Sequence, residues 1–155
     1  MNALAAEVGK QLKKSQSVLV TAESCTGGWV AEAVTAIAGS SGWFDRGFVT
    51  YSNAAKQEML GVRRRTLEKH GAVSEQTARE MAKGALKKSR GTIAVAITGV
   101  AGPTGGSDGK PVGTVCFSWA KKNFVRSETR HFRGNRQSVR RQSVVHALKG
   151  ILQRG

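Results

Sequence analysis

Residues able to do chemistry gather in four short stretches of this sequence. The first is Thr21-Ala22-Glu23-Ser24-Cys25-Thr26-Gly27-Gly28, where a small hydroxyl stands just before a pair of glycines. If the stretch turns a strand into a helix, Ser24 is a candidate nucleophile. The amides near Thr26, Gly27 and Gly28 can then approach negative charge, whether a phosphate or the oxyanion of acyl transfer. On propensity alone the plainer reading is that Ser24 or Thr26 caps the helix. The second stretch, Gly47 to Lys56 (GFVTYSNAAK), holds the chain's only tyrosine. With Asn53 as N-cap, Lys56 falls at the third helical position, where the positive end of the macrodipole opposes an ammonium. A lysine of lowered pKa is what a serine amidase needs as base in place of histidine, and Tyr51 could relay or orient the proton. An exposed lysine beside a half-buried tyrosine is the competing reading.

The third stretch, Thr98 to Ser107 (TGVAGPTGGS), follows a strongly apolar run. Thr98, Gly99, Gly102, Gly105 and Gly106 suggest backbone that comes close to a ligand rather than a tether, since tethers seldom follow central strands. In the fourth, Phe132 to Arg141 (FRGNRQSVRR), Arg136 and Arg140 lie four apart at the start of a helix and could hold a phosphate. A solvated basic helix start fits that spacing equally well.

Several other sites are excluded by spelling. Gly105 to Lys110 (GGSDGK) invites a phosphate-loop reading, but Thr104 occupies the first required glycine position and Pro111 the position of the magnesium-binding hydroxyl. GxGxxG and GxSxG are absent, and His70, His131 and His146 share no metal-binding spacing. Cys25 and Cys116 form neither a CxxC pair nor a disulfide framework. No metal and no cofactor is expected.

The elements that must position these residues follow from periodicity. Leu4, Val8 and Leu12 mark an amphipathic helix over 3–14, and Ser17 to Thr21 (SVLVT) a buried strand. Trp29, Val30, Ala33, Val34, Ile37 and Ala38 repeat helically until Gly39. Phe48 to Tyr51 alternates like a strand, and Ser52 or Asn53 can cap a helix through Leu60. Ser74 caps a longer helix with Ala78, Met81, Ala82, Ala85 and Leu86 inward, stopped by Gly91. Thr92 to Thr98 (TIAVAIT) has the unbroken apolar pattern of a central strand covered on both faces. Val112 to Ala120 and Phe124 to Phe132 predict a hairpin, and Asn135 caps a last helix. Alternation early and a hairpin late predict an α/β fold: a single three-layer α/β/α domain over 1–155 with a mixed, mostly parallel central sheet.

Composition sets the outer bounds. A chain of 155 residues with 39% apolar residues can bury a core of one domain. The N-terminus carries Glu7, Lys10, Lys13 and Lys14 where an export signal needs apolar residues, so a cytoplasmic location is expected. The longest uncharged run, Gly91 to Ser107, is broken by glycines and Pro103 and cannot span a membrane as a helix. The net charge of +15 is uneven. Residues 1–60 hold five basic and five acidic side chains, 61–118 ten and four, 119–155 ten and one. Such a field attracts polyanions or anionic metabolites. Nucleic acid is therefore the alternative partner, although the basic runs lack interleaved aromatics apart from Phe124 and Phe132.

The segments TAESCTGGWVAEAVT, AGSSGWFDRGFVTYSNAAKQEMLGV, HGAVSEQTAREMAKGAL, AITGVAGPTGGSDGKPVGTV and FRGNRQSVRRQ, in this order, resemble the CinA C-terminal domain family from the first helix to the end. The resemblance implies a three-layer α/β fold and, for a stand-alone domain, hydrolysis of the carboxamide of nicotinamide mononucleotide to nicotinate mononucleotide and ammonia without metal. It implies Ser24 as nucleophile with Lys56 and Tyr51 as activating partners. It further implies substrate contacts from Thr98 and the 99–106 loop, and phosphate contacts from Arg140 or Arg136. The short, very basic hairpin around Lys121 to Arg130 leaves a polyanion partner open. The expected associations are the small-molecule substrate and further copies of the chain, with no membrane.

Overall fold

Five strands form one sheet because each runs apolar on both sides or pairs at an edge. The computed structural model describes residues 1–154; Gly155, the last residue of the expected domain, lies outside them. In chain order the elements are α1 (Asn2–Lys14), β1 (Leu19–Glu23), α2 (Trp29–Thr35), β2 (Phe44–Val49), α3 (Asn53–Leu60), α4 (Arg64–His70), α5 (Glu75–Lys87), β3 (Ile93–Gly99), β4 (Thr114–Lys121), β5 (Phe124–His131) and α6 (Arg136–Arg154). A short 3-10 turn, Ser40–Gly42, leads into β2. The sheet order is β2-β1-β3-β4-β5. β1 pairs parallel with both β2 and β3, while β3–β4 and β4–β5 are antiparallel. The sheet is therefore mixed, with β4 alone running against the other four strands.

Alternation along the central strands sorts two cores. Leu19, Ile93, Val95, Ile97, Val115, Phe117 and Trp119 face α1, α2 and α6. Val20, Ala22, Ala94, Ala96 and Ala120 face α3, α4 and α5, against Leu60, Leu67, Met81, Ala82 and Ala85. Small side chains on the second face let α5 approach closely, and Gly84 is fitted so tightly to the Leu60 carbonyl that a Cβ there would overlap it. On the first face Gly150 of α6 lies against the Trp119 ring, whose Nε1–H donates to Ala147 O at 3.2 Å. Three layers, helices on both sides of a sheet, result as expected.

Several boundaries differ from the periodicity reading. β1 runs to Glu23, past the expected Thr21, because the edge of the strand is set by pairing with Ile97 and Val49 rather than by its apolar letters. β2 occupies Phe44–Val49 instead of 48–51, since parallel pairing begins at Leu19 with Phe44. α2 ends at Thr35, before the expected Gly39. α4 was not foreseen: Arg64–His70 is mostly charged and buries only Thr66 and Leu67. The caps by Ser74 and Asn135 hold, with Ser74 Oγ accepting from Thr77 N at 3.1 Å and Asn135 Oδ1 from Ser138 N at 2.9 Å.

Candidate active site

The C-terminal ends of β1 and β3 are neighbours in the sheet, and the loops leaving them face one cavity of about 300 Å³. Such crevices beyond the carboxyl ends of parallel strands are where α/β proteins bind ligands. Ser24, Tyr51, Lys56, Thr98, Gly99, Gly102, Gly105 and Arg136 line it, together with Cys25, Asn53, Val73 and Ala101. Thr26, Gly27, Gly28, Gly106 and Arg140 do not.

Ser24 follows β1 directly, and its amide still pairs with Ile97 O at 2.9 Å. The chain then turns through Gly27 at φ +59° and Gly28 at φ +101°, left-handed positions that a glycine adopts without strain. Glu23, which the sequence reading passed over, organises this turn. Its carboxylate is buried and accepts from Thr26 Oγ1 at 2.7 Å, Val30 N at 2.9 Å and Ala31 N at 3.0 Å. An anionic side chain thus satisfies the otherwise orphaned amides at the start of α2. Thr26 is committed to Glu23, so neither it nor Ser24 is the cap of α2. The Gly27 amide donates to Ser24 O at 3.0 Å, whereas the Cys25 and Thr26 amides reach no oxygen of the described chain.

Arg140 reinforces the same turn from α6. Its Nε donates to Cys25 O and its Nη2 to Thr26 O, both at 3.1 Å, and the guanidinium stacks 5.3 Å from the Trp29 ring centroid. Arg140 is thus turned with Nε and Nη2 to backbone carbonyls of the turn, and it does not line the cavity where a substrate phosphate was expected. Arg136, one turn earlier, does face the cavity: Nη1 donates to Gly102 O at 2.8 Å and Nη2 to the Tyr51 hydroxyl at 3.1 Å.

Lys56 is 1% exposed, not the surface lysine of the competing reading. Its Nζ lies 3.0 Å from Ser24 Oγ, 2.9 Å from Thr50 O and 3.4 Å from Tyr51 O. No carboxylate pairs with it among the described residues. Burial is what lowers its pKa below the ordinary 10.5. The helix terminus is not the main cause, since Ser52 rather than Asn53 caps α3 and places Lys56 at the fourth position. A neutral amine has two N–H groups and one lone pair. The two carbonyls accept the former, which leaves the lone pair for the Ser24 hydroxyl proton. Tyr51 is 62% exposed and meets Lys56 through its backbone carbonyl, while its phenol oxygen accepts from Arg136 and makes no hydrogen bond to Lys56 or Ser24. Cys25 beside the serine is buried, and desolvation pushes its thiol pKa up to about 12, far from a thiolate at neutral pH.

Thr98 lines the cavity with its hydroxyl proton donated to Ala72 O at 2.9 Å. Beyond it, the amides of Ala101, Gly102, Thr104 and Gly105 reach no oxygen of the described chain and can serve a ligand. Gly99 and Gly106 have another reason to be glycine. A Cβ at Gly99 would meet Thr114 O at 2.9 Å, and one at Gly106 would meet Val112 N at 2.8 Å, so the close approach there is to β4 and the segment leading into it. Among the described residues no three His, Cys, Asp or Glu side chains gather as a metal site would need, and no helix is long and apolar enough to cross a membrane.

Known proteins share this architecture and sequence. The model of the CinA C-terminal domain matches residues 1–154. Nicotinamide-nucleotide amidohydrolase PncC of Escherichia coli strain K12 is 55% identical over 153 residues, covering 97% of this chain and 92% of that one. Its counterpart of the same name in Pseudomonas putida is 50% identical over 152 residues, covering 98% and 95%. The crystal structure of competence/damage inducible protein CihA from Agrobacterium tumefaciens superposes with a TM-score of 0.95 at 47% identity, covering 98% of this chain and 93% of that one. A match of such length and identity, on the same sheet and the same loops, settles the kinship: the chain belongs to the CinA C-terminal domain family.

Proposed function

We propose that this protein is an amidohydrolase that converts nicotinamide mononucleotide to nicotinate mononucleotide and ammonia, with Ser24 as nucleophile and Lys56 as base. The observation that carries the reading is the 3.0 Å approach of Lys56 Nζ to Ser24 Oγ inside a cavity, at a lysine whose pKa burial lowers. The names of the relatives supply the substrate. A noncatalytic nucleic-acid accessory would leave this buried, unpaired lysine without a use.

The chemistry then runs as follows. Neutral Lys56 takes the Ser24 proton as Oγ attacks the carboxamide carbon, which the pyridinium ring makes electrophilic. Negative charge develops on the carbonyl oxygen, and the free amide of Cys25, which lines the cavity, is the donor nearest in sequence to the nucleophile. The ammonium of Lys56 returns the proton to the leaving nitrogen, and ammonia departs from the tetrahedral intermediate, leaving an ester on Ser24. Water, deprotonated by the same amine, attacks that ester, and the ammonium gives the proton to Ser24 Oγ as the acid is released and ionises to the carboxylate. Arg136 and the free amides of the 101–105 loop bind the substrate phosphate. Incubating the full chain with nicotinamide mononucleotide in EDTA and measuring ammonia tests the reading. One ammonia per nicotinate mononucleotide, abolished in Ser24→Ala, is the expected result; no ammonia, or an unimpaired Ser24→Ala enzyme, overturns it.

A further inference from the structure

At the end of the sheet opposite the Ser24 cavity, the β4–β5 turn carries Phe124, a residue 44% exposed. Phe124 borders two open grooves. One, of about 710 Å³, is bordered by Lys83, Leu86 and Lys87 of α5, Thr92, and Lys121 to Val125. The other, of about 470 Å³, is bordered by Lys121, Arg126, Gln153 and Arg154. Cations therefore reach Phe124 from α5, the hairpin and α6, three elements far apart in sequence. No carboxylate lines either groove, and none of these lysines or arginines joins an ion pair among the described residues. Glu128, further along β5, is engaged by His146 at 2.6 Å and Arg130 at 3.8 Å. Phe132, the other aromatic in the basic runs, is partly buried against the core.

We propose that this pole is a docking surface for single-stranded nucleic acid, with a base stacked on Phe124 and backbone phosphates held by the surrounding lysines and arginines. The inference is independent of the amidohydrolase reading. A cationic rim without carboxylate partners is complementary to a polyanion, although Arg154 is itself held over the Trp119 ring at 4.2 Å and donates to Gly150 O, so the lysines and Arg126 carry most of it. A single exposed ring bordering two grooves accepts a partner with a free aromatic face. Duplex bases are stacked on one another and offer no such face. The hairpin apex, Lys122 and Asn123, is polar and offers a bilayer no apolar residue beyond the single Phe124.

Fluorescence anisotropy of the full chain with labelled oligothymidylate tests this across a salt series. Binding stronger to the single strand than to a duplex of equal length is expected, with affinity falling steeply as salt rises. Phe124→Ala and Phe124→Leu should each weaken it roughly 5- to 150-fold without changing the salt slope. Lys121→Gln should reduce that slope by about 0.7. Ammonia release should be unchanged in all three variants, which also shows that they fold. Absence of binding at physiological salt, equal affinity for duplex, indifference to both Phe124 variants, or binding that transfers to phosphatidylserine vesicles but not to oligothymidylate would each overturn the proposal.

Discussion

Arg136 Nη2 donates to the Tyr51 hydroxyl at 3.1 Å, joining the first turn of α6 to the loop before α3 across the rim of the cavity. The phenol thus serves the arginine and not Lys56. Tyr51→Phe should therefore leave kcat near wild type and raise KM about 2- to 10-fold, the effect of one modest hydrogen bond. Arg136→Ala, which removes the charge itself, should raise KM by roughly 10- to 150-fold, and steady-state kinetics on nicotinamide mononucleotide distinguishes the two. A collapse of kcat in Tyr51→Phe would restore the phenol to the proton path.

Arg140 should behave differently from Arg136. Because it holds Cys25 O and Thr26 O, Arg140→Ala loosens the turn that carries the nucleophile. We expect kcat to fall with KM little altered, along with a loss of about 1.5–3 kcal/mol of stability in denaturant titration. A pure rise in KM would mean that Arg140 meets the phosphate after all.

Lys56 couples activity to pH. Its pKa in the folded protein lies below 10.5, so kcat/KM should climb with pH along one limb until the amine is neutral, then level off. Lys56→Arg remains charged and cannot accept the proton, and it should be as inactive as Lys56→Ala.

The same burial has a stability consequence. Between the folded and unfolded pKa values the unfolded chain binds the proton and the folded one does not, so this group's contribution to stability rises with pH across that window. As pH is lowered from 10.5, the wild type should lose stability relative to Lys56→Met until the folded pKa is passed. Paired urea titrations at neutral pH and near pH 10.5 would show it. A pH-independent difference would mean that the buried lysine is not depressed.

Cys25 supplies a control on the nucleophile. With its thiol pKa near 12 it is protonated at neutral pH, so Cys25→Ala should retain activity within about threefold and iodoacetamide should not inactivate the folded enzyme. Inactivation by alkylation, with Ser24→Ala still active, would exchange their roles.

What the sequence determined by itself is what local chemistry encodes. Ser74 and Asn135 cap their helices through side chains that reach only three residues along, and TIAVAIT makes a central strand because both its faces are apolar. The TAESCTGG and YSNAAK stretches marked Ser24 and Lys56, because a hydroxyl before paired glycines and a lysine just inside a capped helix are short-range patterns. Contacts across long separations belonged to the tertiary structure. The pKa of Lys56 is lowered mainly by its burial beside Thr50 and Ser24, a property of packing that no helix position specifies. Arg136 and Arg140, alike in sequence, part company because one side chain reaches the cavity rim and the other the back of the nucleophile turn, 115 residues away from Cys25. The role of Glu23 likewise arises only when the turn brings the start of α2 onto its carboxylate. The cationic rim of Phe124, too, exists only once α5, the hairpin and α6 meet, since charge adds through space and not along the chain.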